Sequence, residues 1–395
     1  MYLTAPQAAA RLGVKRPTLY TYVSRGWIRT VPGRNRRERC YLAADIDALR
    51  LRADAAGGAG AAAASALDWG PPVLASGITS IDVDGPNYRG VPALTLAEQH
   101  RPFEATVHLL WSGALVDDPP PLCAPGALPE ALAELVPAGS APLPVLGAVA
   151  PILGLTGPSE TDDAAAGALI RRLVAALSLC GPRSGWQERA ADALAAPTVA
   201  HAVCAALGAP SASAALVDQA LILCADHELN ASTFAARVAA STGATVWAAV
   251  TAALATLGGS RHGGMSDHVE EMISAAAAAA DPTAWVEARL ARGAAPPGFG
   301  HRLYVQGDPR GAHLLAASGG GSPVLSAVVA AMAAANHPPP SLDVGLVAIR
   351  RRAGLPLGSA GALFAVGRCA GWIAHAREQR AQGRLLRPRA RYVGP

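Results

Sequence analysis

Lysine is nearly missing from this chain: a single one, Lys15, stands against 32 arginines. A base-composition bias in the coding DNA accounts for that, so an arginine here carries little functional weight by itself. Cysteine is scarce as well. The six, at positions 40, 123, 180, 204, 224 and 369, form no CxxC pair, which excludes a zinc ribbon and a dithiol redox centre. No metal is expected, and unpaired thiols suit a reducing, cytoplasmic setting. No run of 18 or more strongly apolar residues offers a membrane span. The start, MYLTAPQAAARLGVKRP, lacks the apolar core of a signal peptide. Strand patterns are sparse, with GITSIDVDG the one clear candidate for a short hairpin, and no internal repeat stands out.

What is present is unevenly charged. Residues 1–52 carry eleven Lys/Arg and three Asp/Glu, a net +8, which leaves −4 for the other 343 residues. Two units with different partners are expected. Within the first, LTAPQAAARLG reads as a helix with a Thr4–Gln7 capping box, ended by Gly13, and RPTLYTYVSRG as a second helix. An extended piece, an arginine-rich turn, another extended piece and a helix follow. Two helices and a basic wing can set one helix in a DNA major groove and arginines on phosphates. The pattern resembles the small winged helix-turn-helix domains of the MerR and excisionase type. That resemblance nominates Arg16, Thr18 and Tyr20 on the reading helix and Arg34, Arg36, Arg37 and Arg39 on the turn. A basic packing module without a DNA target is the other reading. Residues 53–68, ADAAGGAGAAAASALD, read as an Ala/Gly linker.

From residue 69 the chain is predominantly α, with helix-length apolar runs cut by Pro/Gly breaks such as DDPPPLCAPG and NHPPPS. Against this plain background five stretches concentrate chemistry. CADHELNASTFAARV places His227 between two acids. GGSRHGGMSDHVEEM flanks His262 with glycines. PPGFGHRLYVQGDPRG gathers glycines, His301 and Arg310. PPPSLDVGLVAIRR sends Asp343 into an apolar helix, where partial desolvation raises a carboxyl's pKa and makes it a better base. VGRCAGWIAHAREQ buries Arg368, which then needs an anion.

In this order, and followed by RPRARYVGP, these motifs resemble the citrate synthase family over roughly four fifths of the chain. The resemblance implies a mainly α, two-domain helical fold over residues 69–395, with a small domain at about 265–355, preceded by the helix-turn-helix unit. It implies His262, His301 and Asp343 as catalytic residues. His227, Arg310, Arg368 and Arg387 would bind oxaloacetate, the last from a partner subunit, so a homodimer is implied. The Pro297, Gly298, Phe299 and Gly300 loop would meet coenzyme A, whose thioester is a substrate; no permanent cofactor is implied. The expected reaction is condensation of acetyl-CoA with oxaloacetate to citrate, with domain closure around it. Propionyl-CoA giving 2-methylcitrate is the near alternative. A DNA-binding regulator using the fold as a metabolite sensor is the distant one, and retention of a proton-abstracting aspartate argues against it. The chain departs from the family at Ser260-Arg261, Met265-Ser266 and Ser341, where proline-leucine, alanine-asparagine or alanine-serine, and asparagine are usual, and it shows no evident His-Pro-Met element.

Overall fold

A computed structural model describes residues 2–32, 39–43, 45–47, 49–50, 74–124, 126–156, 163–304, 306–388, 390, 392 and 394. Arg34, Arg36, Arg37 and the 53–68 stretch lie outside the described residues. The chain divides into two compact units, one drawn from Met1–Ser76 with His301–Gly307, the other from Gly77–Gly300 with Asp308–Pro395.

In the first unit the helices Ala5–Leu12 and Arg16–Ser24 form as the sequence suggests. Gln7 Oε1 accepts from the Thr4 N–H at 2.9 Å, and Gly13 closes the first helix at φ 68°, a left-handed conformation that glycine adopts without strain. Three strands, β1 (Tyr2–Thr4), β2 (Thr30–Pro32) and β3 (Arg39–Leu42), make an antiparallel sheet in the order β1-β3-β2. The first of them is not evident in the sequence, because three residues show no alternation. Leu3, Ala8, Leu19, Ile28, Tyr41 and Ile46 fill a small core of this unit's own. Two of its arginines are neutralised: Arg11 grips Asp47 through Nε and Nη2, and Arg29 grips Asp45 in the same forked way.

The second unit opens with the expected hairpin, β4 (Thr79–Asp82) and β5 (Gly85–Tyr88), extended by β6 (Val91–Pro92) into a meander. Everything after it that builds the core is helical. The organising element is the helix Ser359–Gln382, nineteen of whose residues are buried. It packs against Phe103–Ser112, Ala214–Cys224, Ala231–Ser241, Val246–Leu257 and Leu342–Arg352. A helix buried over most of its length has no solvent-facing stripe there, and its alanines and glycines let its neighbours approach closely. The helices between Met265 and Arg352 pack on one another, Met265–Ala277 and Pro309–Ala317 both against Leu342–Arg352, and share one apolar core with the rest of the unit. Among the described residues no helix is long and apolar enough to cross a membrane.

Candidate active site

Asp343 lies in the first turn of Leu342–Arg352, whose following residues Val344 to Ile349 are all buried. Ser266 Oγ donates to its Oδ1 at 2.9 Å and Ser341 Oγ to its Oδ2 at 3.5 Å. Some of its surface stays open, yet protein atoms crowd it, and burial pushes the carboxyl up to about 6. The two serine hydrogen bonds and Arg310 pull the other way, and Asp308 adds to the rise. A helix N-terminus ordinarily favours the ionised form; here burial outweighs it.

The approach to that helix is anchored to the glycine loop. The Ser341 N–H donates to the Gly298 carbonyl and the Gly300 N–H to the Pro339 carbonyl, both at 2.8 Å, with Phe299 bridged to Pro340. A Cβ on Gly298, at φ 84°, would lie 2.6 Å from Val269 Cγ2 and 2.8 Å from Val344 Cγ2. The resemblance sets this loop against coenzyme A, which is one reason for a glycine here. The packing beneath it demands glycine in any case.

His262 sits in the turn ahead of Met265–Ala277, so Ser266, four residues on, reaches Asp343 from the same turn. The His262 Nε2 is 2.8 Å from Ser232 Oγ, and the ring meets Phe364 edge-on at 5.7 Å between centroids. Burial, helped by Arg368, pushes the imidazole down to about 4, so it is neutral at physiological pH. Ser232 Oγ also accepts from Trp372 Nε1 at 3.2 Å and lies 2.7 Å from Asn230 Oδ1. Asn230 caps the Ala231–Ser241 helix, its Oδ1 taking the Thr233 N–H.

Arg368 is buried on the Ser359–Gln382 helix, 4.7 Å over the Phe364 ring, with Nε donating to the Cys224 carbonyl at 2.6 Å. Among the described residues neither of its Nη atoms has a protein acceptor. Burial lowers its basicity and Asp226 restores part of it. Arg310 is also buried and forks onto Asp308, the N-cap of Pro309–Ala317, at 3.0 and 2.9 Å. Asp308 Oδ2 in turn accepts from the Leu342 N–H, which ties the Asp-Pro-Arg corner to the residue before Asp343. His227 is buried in the turn after Ala214–Cys224. The structure thus brings His262, Asp343, Arg310, Arg368 and the GFG loop into one connected network. Arg387, exposed beyond the last helix, is not part of it. Arg261 is exposed.

His301 follows Gly300 directly but groups with the first unit. Its ring packs on Tyr304 at 4.9 Å, and Nδ1 accepts from the Leu303 N–H at 3.1 Å, which leaves the proton of the neutral ring on Nε2. Of the first unit's nominated residues, Arg16, Tyr20 and Arg39 are exposed and Thr18 half-buried; Arg16, Tyr20 and Arg39 line a cleft of about 750 Å3.

Residues 66–389 match the family model for the citrate synthase C-terminal domain. The chain belongs to the citrate synthase family. A citrate synthase of Haloferax volcanii is 40% identical over 187 residues, 45% of this chain and 49% of that one. A 2-methylcitrate synthase of Mycobacterium tuberculosis H37Rv is 31% identical over 333 residues, 78% of this chain and 84% of its own. The alignments with several curated citrate synthases span about half the length of those relatives. The fold is shared with the Thermoplasma acidophilum citrate synthase, solved as a ternary complex with carboxymethyl coenzyme A and oxaloacetate, at a TM-score of 0.67 and 24% identity over 82% of this chain and 94% of that one. Ser232 and Trp372 join the network around His262 without a signal in the sequence. Ser232 reads as part of a helix cap, and Trp372 lies 140 residues further along the chain.

Proposed function

We propose that this chain condenses an acyl-CoA thioester with oxaloacetate and releases free coenzyme A, acetyl-CoA giving citrate. The observation that carries the reading is Asp343: a carboxyl pushed up to about 6, oriented by two serines, in a network with a neutral imidazole and two buried guanidinium groups. A thioester α-proton is a weak acid, so a carboxylate removes it only where the enolate oxygen is met at once by a donor. His262 is that donor. Ser232 Oγ, which accepts from Trp372 Nε1 and donates to Asn230 Oδ1, lies 2.8 Å from the ring's Nε2 and holds the imidazole in place beside the thioester site. The enol carbon attacks the keto carbon while His301 donates through Nε2 to the oxygen that gains charge. Water then hydrolyses the thioester. His227, Arg310 and Arg368 hold the keto acid, with Arg387 supplied by the partner in a homodimer. The loop from Pro297 to Gly300 takes the coenzyme A. The mechanism needs no metal, and the unpaired cysteines fit a cytoplasmic enzyme.

Free-thiol release with oxaloacetate and either acetyl- or propionyl-CoA tests this; the absence of release with both would sink it. The ratio of the two rates separates citrate from 2-methylcitrate synthesis, a choice that one methylene sets at about 1–3 kcal/mol. Ser232→Ala is expected to lower kcat by about tenfold, short of the ~10²–10³ lost with a direct oxyanion donor, because the ring remains but is no longer held in position. An unchanged kcat in that variant would free His262 from Ser232.

The first unit supports a second role, DNA binding, through a winged helix-turn-helix. Its exposed Arg16, Tyr20 and Arg39 stand on the second helix and on β3, and the unit's net charge is strongly positive. Affinity for duplex DNA is expected to fall steeply with salt, with a log–log slope of roughly −3 to −4 if four phosphates are neutralised. No binding to a genomic fragment pool at low salt would make the unit an interaction module.

A further inference from the structure

Behind the keto-acid residues runs a buried polar chain with no apparent reason to be polar. Arg237, on Ala231–Ser241, is fully buried and gives every edge of its guanidinium to one face of Ser359–Gln382. Nε donates to Gln379 Oε1 at 3.0 Å, Nη1 to Glu378 and to His375 Nδ1 at 3.1 Å, and Nη2 to Gln382 Oε1 at 3.2 Å. Those acceptors sit at the i, i+3, i+4 and i+7 spacing that lines one helix face. Arginine has only donors, so His375 Nδ1 accepts and its proton lies on Nε2. That proton is donated to Asp226 Oδ2 at 3.2 Å.

Asp226 is where the chain reaches the site. Its Oδ2 also takes the Glu228 N–H at 3.2 Å, which closes the turn whose middle residue is His227. Glu228 holds a positive φ of 54° there. The terminal helix presses directly on this turn: the Gly371 N–H donates to the Ala225 carbonyl at 3.0 Å, and a Cβ on Gly371 would lie 2.2 Å from Asp226 Oδ1. Asp226 is also the anion that offsets the buried Arg368. One carboxylate thus clamps the His227 turn and balances Arg368, and its own position is set by His375.

We propose that Arg237, His375 and Asp226 form a relay that sets the pose of His227 and Arg368, making His375 a positioning residue for the keto acid although it touches no substrate. The proposal rests on the oxaloacetate reading above. A buried cation satisfied by four partners gives a rigid lever in place of a slack apolar contact. The same Ala231–Ser241 helix carries Ser232 against His262, so the lever also registers the keto-acid half of the site to the thioester half.

The test is steady-state thiol release by the full-length chain with the variants His375→Ala, His375→Gln and Asp226→Asn. His375→Ala is expected to raise the KM for oxaloacetate roughly tenfold, within the range for members of one buried network, while kcat and the KM for acyl-CoA move less than about threefold. His375→Gln keeps an N–H near the Nε2 position and is expected to recover most of the loss. Asp226→Asn preserves shape without charge and is expected to raise the oxaloacetate KM in the same direction; it carries the test alone if His375→Ala does not fold. Equal rises in both KM values, a glutamine variant as impaired as the alanine one, or an unchanged oxaloacetate KM would each overturn the relay. A wild-type chain that releases no thiol with either acyl-CoA would overturn the oxaloacetate reading instead.

Discussion

Replacing Asp343 by asparagine is expected to cut turnover by at least ~10²-fold, the low end for a general base, and at the same time to make the protein harder to unfold at neutral pH. Both effects have one cause. Asparagine fills the same space and its Oδ1 can still accept from Ser266, so packing is retained while the proton acceptor is lost. Burial pushes the Asp343 carboxyl up to about 6 from an ordinary 3.8. A group raised on folding adds stability below its unfolded pKa and loses that contribution as pH climbs through the folded value. Above about 6 the ionised Asp343 is therefore a cost, at most about 3 kcal/mol for a shift of roughly two units. The variant does not carry that cost. Thermal unfolding should show a gain at pH 8 that shrinks toward pH 4. In the wild type, kcat/KM should fall as pH drops through about 6, where the base takes up its proton. His262, pushed down to about 4, adds no limb above that. Near-normal turnover would remove Asp343 from the mechanism, and an equal stability gain at both pH values would trace it to packing.

The burial of Asp343 was legible because its signal is local: a proline run, then a carboxylate at the head of an apolar helix. Arg368 was legible in the same way, as a cation on an otherwise apolar stretch. The order of the motifs pointed to the family. Position-specific reasons were harder to read. Gly298 looks like a clearance for ligand, whereas Val269 and Val344 lie against it, from helices 29 residues before and 46 residues after. Ser232, Trp372 and His262 meet across up to 140 residues, and nothing in ELNASTF distinguishes a capping serine from one that holds the His262 ring. Arg237 and His375 were passed over for the same reason. Each has an ordinary local context, and only the packing of two helices reveals that they share a hydrogen-bond chain to Asp226. The departure at Ser341 has a place in the fold: its hydroxyl, like that of Ser266, reaches Asp343.

Arg368→Gln is expected to raise the KM for oxaloacetate far more than that for acyl-CoA. Removing one arm of a desolvated charge pair costs about 2–5 kcal/mol, or roughly 30- to several-thousand-fold. Glutamine can still offer an N–H toward the Cys224 carbonyl, so the Ser359–Gln382 helix keeps a polar partner there. Two further changes should follow from the lost charge. Burial first and Arg368 second hold the His262 imidazole down near 4, so in the variant His262 should titrate at higher pH, while the acid limb of turnover stays with Asp343 near 6. Burial pushes the Asp226 carboxyl up, but His375 and Arg368 together hold it below its usual range. A carboxyl depressed on folding adds stability above its unfolded pKa and loses it as pH falls through the folded value. Without Arg368 that margin narrows, and acid unfolding should begin at a higher pH. Arg368→Lys separates charge from shape. It should keep the His262 titration near the wild-type position, because a cation remains, yet still raise the oxaloacetate KM, because an ammonium cannot grip a carboxylate through a planar fork. If lysine restores the KM, only the charge matters at this position; if glutamine raises both KM values equally, Arg368 supports the fold and does not hold the keto acid.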